Sequence, residues 1–200
     1  MHQPARGFRY SADAFWLAGF ALEPGIPATA LDLGTGSGVV AFLLAARGID
    51  VRGIDRYPGW ELGWEASLRD STVAPVLQLC DVREVAGPAE IVTCNPPYFP
   101  RGSGPVSSDP FRAAARTEAS ATLSDFVERA VQLATERAVF IIPTSRMEEV
   151  LHRARPFSLV RRLFVGTKRV LLDLRPSGSL LEDSQVERED PRVQRFTCLG

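Results

Sequence analysis

Short apolar runs alternate with longer amphipathic stretches along the chain. Ala12 to Leu22 reads as an entry helix stopped by Pro24-Gly25, and Thr29 to Leu33 as a first strand. A tight loop, Gly34 to Gly38, leads into a helix over Val39 to Arg47 that Gly48 ends. Val51 to Ile54 reads as a second strand ending at Asp55, followed by a weaker helix that Tyr57-Pro58-Gly59 opens and that runs to about Arg69. Val76 to Leu79 is a third strand before Asp81, and Ile91 to Cys94 a fourth. Leu123, Phe126, Val127, Ala130, Val131 and Ala134 recur at helical spacing and predict a helix over Thr122 to Thr135. A fifth strand over Ala138 to Ile142 and a helix over Ser145 to Ala154 come next. Phe157 to Val165 and Val170 to Leu174, joined by Gly166 to Arg169, predict an antiparallel hairpin. The alternation implies a single α/β domain over 1–200 with a mostly parallel sheet. Residues 1–28 form a substrate-side segment ahead of it, and 176–200 a polar, loosely attached tail.

Composition narrows the class. The chain has 200 residues, 45% hydrophobic and 24% charged, enough for one sizeable core. No apolar run reaches the roughly 18 residues that span a bilayer, and Met1 to Tyr10 lack an apolar signal core, so a cytoplasmic protein with no membrane partner is expected. Three scattered cysteines and two histidines disfavour a disulfide framework, a metal site or a histidine-based triad, and Cys94 reads as a buried small residue. Net charge is −1 but uneven: 101–175 carry thirteen basic and eight acidic residues, against seven and eleven in 1–100. The basic stretch suits a polyanion such as RNA, or simply a solvated face. A monomer or weak homodimer is expected.

The candidate chemistry sits at strand ends. Leu31-Asp32-Leu33-Gly34-Thr35-Gly36-Ser37-Gly38 closes the first strand. Its alternating glycines allow a tight turn and close approach of a ligand. The spacing is Gly-x-Gly-x-Gly, not the Gly-x-Gly-x-x-Gly of dinucleotide folds, and an acidic residue before the first glycine disfavours pyrophosphate. Asp32 is instead suited to the ammonium of a methionine group. Asp55, ending the second strand, is suited to ribose hydroxyls, and Asp81 to an adenine amino group. Each also has a plain structural reading, as a cap, turn or ion-pair residue. Gly34, Thr35, Gly36 and Gly38 complete a site for S-adenosylmethionine, with S-adenosylhomocysteine as product and no metal. Tyr57 and Trp60 are suited to stacking on adenine, although Trp60 and Trp64 at i, i+4 also fit a packing pair.

Asn95-Pro96-Pro97-Tyr98 follows the fourth strand and is the most specific string in the chain. A nitrogen conjugated to a ring or carbonyl is a poor nucleophile, because its lone pair is delocalised. The Asn95 amide oxygen and the Pro96 carbonyl can each accept one N–H of such an amine, orienting it and supporting the charge that develops. The prolines stiffen the loop, and Tyr98 offers a face for a base to stack on. Asn95, Pro96 and Tyr98 are thus the candidate catalytic residues, and Asn95 also belongs to the cofactor set. A base in a duplex or stacked loop must be extruded to reach this pocket. The irregular 99–109 stretch is placed to frame it, and Arg101, Arg112 and Arg116 suit phosphate or base-edge contacts.

Several segments together resemble the bacterial tRNA adenine-N6-methyltransferases that modify the adenosine beside the anticodon of a valine tRNA. They are Gln3-Pro4, Gly7 to Ala14 with Arg9 and Asp13, Asp32 to Gly38, Asn95 to Phe99, Ala115-Arg116-Thr117-Glu118 and Lys168-Arg169-Val170-Leu171. The resemblance covers nearly the whole chain, and the opening segment and Ala-Arg-x-Glu are its narrower parts. Thr117 stands where the family commonly has histidine. The resemblance implies a Rossmann-like class I methyltransferase fold with a seven-stranded sheet, a terminal antiparallel hairpin and helices on both faces. It also implies S-adenosylmethionine as donor and a tRNA substrate. Arg9, Asp13, Pro97, Phe99, Arg101 and Arg116 fall on the substrate side. Competing readings are methylation of a glutamine amide in protein, of a small aromatic amine or amide, and a non-catalytic cofactor-binding partner protein.

Overall fold

The computed structural model describes residues 12–97 and 121–176, with the backbone of one further strand at 182–186. The strands are β1 (Thr29–Leu33), β2 (Asp50–Asp55), β3 (Val76–Leu79), β4 (Ala89–Cys94), β5 (Ala134–Pro143), β6 (Ser158–Val165), β7 (Arg169–Arg175) and β8 (Glu182–Val186). They form one sheet in the order β3-β2-β1-β4-β5-β7-β6-β8. Pairing is parallel from β3 to β5, and β7 runs antiparallel to both β5 and β6. The helices are α1 (Ala12–Leu22), α2 (Val39–Ala45), α3 (Glu61–Asp70), α4 (Leu123–Leu133) and α5 (Met147–Arg153), with 3₁₀ turns at Pro58–Trp60 and Thr144–Arg146.

The seven expected strands and the terminal hairpin are present, and the segment read as a loose polar tail contributes an eighth. β8 runs parallel to β6, with Glu182 opposite Arg161 and Asp183 opposite Arg162. The strand has no apolar alternation to announce it, and its register sets acidic residues beside basic ones on an otherwise open edge. A second difference lies at β5, which begins at Ala134 and not at Ala138. Ala134 pairs with Ala89 of β4 while its N–H still bonds the Ala130 carbonyl, so helix gives way directly to strand. α4 starts at a capping box in which Thr122 and Asp125 satisfy each other's backbone N–H.

Central strands alternate side chains between two apolar layers. Leu31, Leu33, Val92, Cys94 and Phe140 pack under α4 and α5 with Phe126, Val127 and Val150. Ala30, Ile91, Val139, Ile141 and Leu171 pack under α1 and α2 with Leu17, Phe20 and Leu44. Both faces of the central parallel strands β1, β4 and β5 are covered, which is why their sequences read as near-continuous apolar runs.

A cluster of charged groups is buried within the second layer. Asp173 of β7 is fully buried and faces three guanidinium groups: Arg175 at 3.1 Å, Arg137 at 3.8 Å and Arg161 at 3.8 Å. Arg161 also pairs with Glu23, donates to the Phe20 carbonyl, and lies 3.8 Å from the centroid of the Phe20 ring. The cluster ties the end of α1 to β5, β6 and β7. Removing the shared anion leaves buried cations uncompensated. Asp173→Asn is therefore expected to cost about 3–5 kcal/mol in urea unfolding; a loss below about 1 kcal/mol would mean that solvent already screens the cluster.

Candidate functional site

The parallel register sets the carboxyl ends of the strands abreast. Leu33 pairs with Ile54 on one side and with Cys94 on the other, and Asp55 pairs with Leu79. β1 lies between β2 and β4, so the chain leaves it at the point where strand order reverses, which is where ligands bind in open α/β sheets. The glycine loop, Asp55, Cys80-Asp81 and Asn95-Pro96-Pro97 all emerge at that end. Asp32, Gly34, Thr35, Gly36, Gly38, Asp55, Asp81, Asn95, Pro96 and Pro97 are thus brought together along one edge. Arg9, Tyr98, Phe99, Arg101, Arg112 and Arg116 lie outside the described residues.

Asp32 is 2% exposed. Thr93, directly opposite in the β1–β4 register, donates its hydroxyl to Asp32 Oδ1 at 2.8 Å. Oδ2 has no hydrogen-bond partner among the described residues. Burial raises the carboxyl pKa to about 6 against the lowering effect of the Thr35 and Thr93 hydroxyls, and the Asp55 charge adds to the rise. A buried carboxylate with an unsatisfied oxygen is set to receive a cation.

The loop itself turns inward. Gly34, Gly36 and Gly38 have φ of 69°, 56° and 87°, a region that residues with a Cβ rarely adopt. A Cβ on Gly34 would also sit 3.0 Å from the Phe126 ring of α4. Three loop N–H groups are used internally. Thr35 donates to the Ile54 carbonyl at 2.8 Å, Gly36 to Asp55 Oδ2 at 3.0 Å, and Gly38 to the Thr35 carbonyl at 2.9 Å. A phosphate cradle needs such donors free. The loop therefore suits a ligand that brings its own positive charge, in keeping with Asp32.

Asp55 is more heavily engaged than strand-end position alone suggests. Oδ1 accepts the Tyr57 N–H at 2.9 Å, while Oδ2 holds Gly36. Burial raises its pKa and these hydrogen bonds oppose the rise. Asp81 differs again. Arg83 donates to both of its oxygens, at 2.8 and 2.7 Å, and holds its pKa down to about 2. An adenine amino group would have to compete with Arg83 there. Asp13, expected on the substrate side, pairs with Arg169 at 3.2 Å. That contact joins the opening segment to the start of β7. Trp60 and Trp64 are both buried, yet their role is not packing alone: the Trp64 indole N–H donates to the Gly36 carbonyl at 2.8 Å. The Thr93 and Trp64 contacts escaped the sequence reading. A polar residue inside an apolar strand run was the available signal for Thr93. Among the described residues, no group of three or more His, Cys, Asp or Glu is placed to hold a metal. Among the described residues, no helix is long and apolar enough to cross a membrane either.

This architecture is the fold of the S-adenosylmethionine-dependent methyltransferases. It superposes on a predicted O-methyltransferase from Agrobacterium tumefaciens with a TM-score of 0.69 at 16% identity, covering 94% of this chain and 96% of that one. Magnesium protoporphyrin IX methyltransferase from Synechocystis, solved with bound S-adenosylhomocysteine, gives 0.56 at 17% identity over 82% of this chain and 80% of its own. In sequence the chain is homologous to tRNA1(Val) (adenine(37)-N6)-methyltransferases. It is 30% identical to that of Actinobacillus succinogenes over 158 residues, 71% of this chain and 66% of the relative. It is 32% identical to that of Aeromonas salmonicida over 130 residues, 60% of this chain and 54% of the relative. The aligned region thus spans between about half and two thirds of these relatives' length. No family model matches the chain.

The Asp32 environment yields a test with opposite effects on stability and binding. Its folded pKa of about 6 lies above the ordinary 3.8, so its stabilising contribution is complete below about pH 4 and is lost as pH rises through 6. Asp32→Asn is therefore expected to stabilise the free protein at pH 7.5, by at most about 3 kcal/mol. The same change should remove binding of an ammonium-bearing ligand. Thermal unfolding with and without S-adenosylhomocysteine checks both; a variant that is destabilised, or that still gains stability from the ligand, contradicts this account.

Proposed function

We propose that this chain transfers a methyl group from S-adenosylmethionine to the exocyclic N6 of adenine in tRNA. The observation that carries the reading is the adjacency of Asp32 and Asn95-Pro96 at the two central strand ends. One is a cation-ready buried carboxylate; the other is a stiff pair of amide-type acceptors. The names of the sequence relatives favour adenine in tRNA over the other planar nitrogens.

Bound S-adenosylmethionine supplies an electrophilic methyl on a sulfonium. Asp32 would hold the ammonium of its methionine part, and Asp55 at the next strand end would face its ribose, a ribose hydroxyl sharing the carboxylate with the donors already on it. Asp81 serves the adenine edge of the cofactor once Arg83 gives way. Asn95 and Pro96 take the two N6 hydrogens of the target, turning the nitrogen lone pair toward the methyl. As the nitrogen becomes cationic these two acceptors would stabilise it; the C–S electron pair would stay on sulfur as the thioether product, and the surplus N6 proton, then strongly acidic, would pass to water, so no base with a tuned pKa is needed. Pro97 and Tyr98 shape the pocket, and Tyr98 and Phe99 stack on the extruded base. Arg9, Asp13, Arg101 and Arg116 border the nucleic acid on the substrate side. The protein works as a monomer or weak homodimer in the cytoplasm.

Incubation with labelled S-adenosylmethionine and separate pools of total RNA, protein and small metabolites tests the reading. N6-methyladenosine in tRNA is expected by nucleoside mass spectrometry. Label found only in protein or metabolites overturns it. Asn95→Ala is expected to lower turnover by about 100-fold or more while S-adenosylhomocysteine binding is retained. Unchanged turnover would remove Asn95 from the chemistry.

A further inference from the structure

Gly36 is held through both of the peptide groups that flank its Cα. Its N–H donates to Asp55 Oδ2 at 3.0 Å and its carbonyl accepts the Trp64 indole N–H at 2.8 Å. The Trp60 side chain hydrogen-bonds the same Asp55 carboxylate. Both rings are nearly inaccessible, at 2% for Trp60 and 4% for Trp64, and neither belongs to the two apolar layers of the sheet. Trp60 lies over the loop, 3.8 Å from where a Gly36 Cβ would stand, with Tyr57 edge-on to it. Hydrophobic burial alone does not require an indole here, because a phenyl ring fills such space without a polar atom. An indole nitrogen only donates, and each of the two donors ends on a group that shapes the cofactor loop.

We infer that Trp60 and Trp64 are positioning residues for the methyl donor, fixing the Gly36 peptide and the Asp55 carboxylate before the cofactor arrives. The inference rests on the S-adenosylmethionine reading above and is independent of which nitrogen is methylated. Gly36 stands at a φ of 56°, so the loop gains little from local backbone preference. Without Trp64 the Gly36–Ser37 peptide loses its anchor, and the adjoining Thr35–Gly36 peptide, whose N–H orients Asp55 Oδ2, is held less firmly through the flexible Gly36 Cα. The cofactor then meets a loop that must be ordered at its own expense.

The test is Trp64→Phe, which keeps an aromatic ring and removes the donor. Loss of one buried hydrogen bond predicts a dissociation constant for S-adenosylhomocysteine raised about 5- to 20-fold by calorimetric titration. In turnover, KM for S-adenosylmethionine should rise by a similar factor, while KM for RNA and kcat stay within about twofold. Leu62→Ala, an exposed change on the same helix, should leave all of these unchanged. A Trp64→Phe protein that folds and binds S-adenosylhomocysteine within twofold of the parent overturns the inference. So does an equal loss in both KM values, which a merely structural role would produce. If the variant does not fold, the unaltered protein decides. The Trp64 indole N–H should be protected from hydrogen exchange and should shift in NMR spectra when S-adenosylhomocysteine binds; rapid exchange and no shift overturn the inference. A parent that binds no S-adenosylhomocysteine overturns the cofactor reading together with it, whereas a normal parent and an unaffected Trp64→Phe overturn the tryptophan role alone.

Discussion

A carboxylate kept out of water at the centre of the sheet is the constraint around which this molecule is arranged. Asp32 sits between β2 and β4, under α1 and α2, with the Thr93 hydroxyl donating to one of its oxygens. That placement is unfavourable for folding alone, and the remainder of the sheet must outweigh it. The two apolar layers provide the surplus. Stability is given up at one atom so that an oxygen stands ready for a positive charge.

The surrounding groups keep that arrangement selective. The loop after β1 consumes its own N–H donors on Ile54, Asp55 and Thr35, and so offers little to a phosphate. Asp55 holds the loop in that shape by accepting the Gly36 and Tyr57 N–H groups. The same glycine spacing, with its donors turned outward, would suit a nucleotide pyrophosphate. Selectivity thus follows from the direction of a few peptides as much as from residue type.

Much of the fold was legible because parallel strands buried on both faces leave apolar runs bounded by glycine, proline and aspartate. The order of strand ends followed, and with it the grouping of Asp32, Asp55, Asp81 and Asn95. What escaped notice has a common cause. β8 is polar, and only its register against Arg161 and Arg162 explains it. The Asp173 cluster joins residues distant in sequence whose charges look like ordinary surface positions when read singly. The tryptophan pair shows helical spacing, which says nothing about where an indole nitrogen points. Asp81 fits an adenine acceptor or an ion-pair residue by sequence, and only its geometry shows Arg83, two residues away, on both of its oxygens.

The strand added at the sheet margin also affects the behaviour of the protein in solution. With β8 in place the margin beyond β6 carries Glu182 and Asp183, while the opposite margin is the four-residue β3. A long apolar margin would recruit further strands from other molecules, whereas a polar five-residue strand on one margin and a four-residue strand on the other offer little apolar sequence and few backbone bonds. Two copies meeting margin to margin across β8 therefore gain little. Among the described residues the sheet is bounded by two short strands, and crowding or high concentration should favour contacts through helix faces over growth of the sheet.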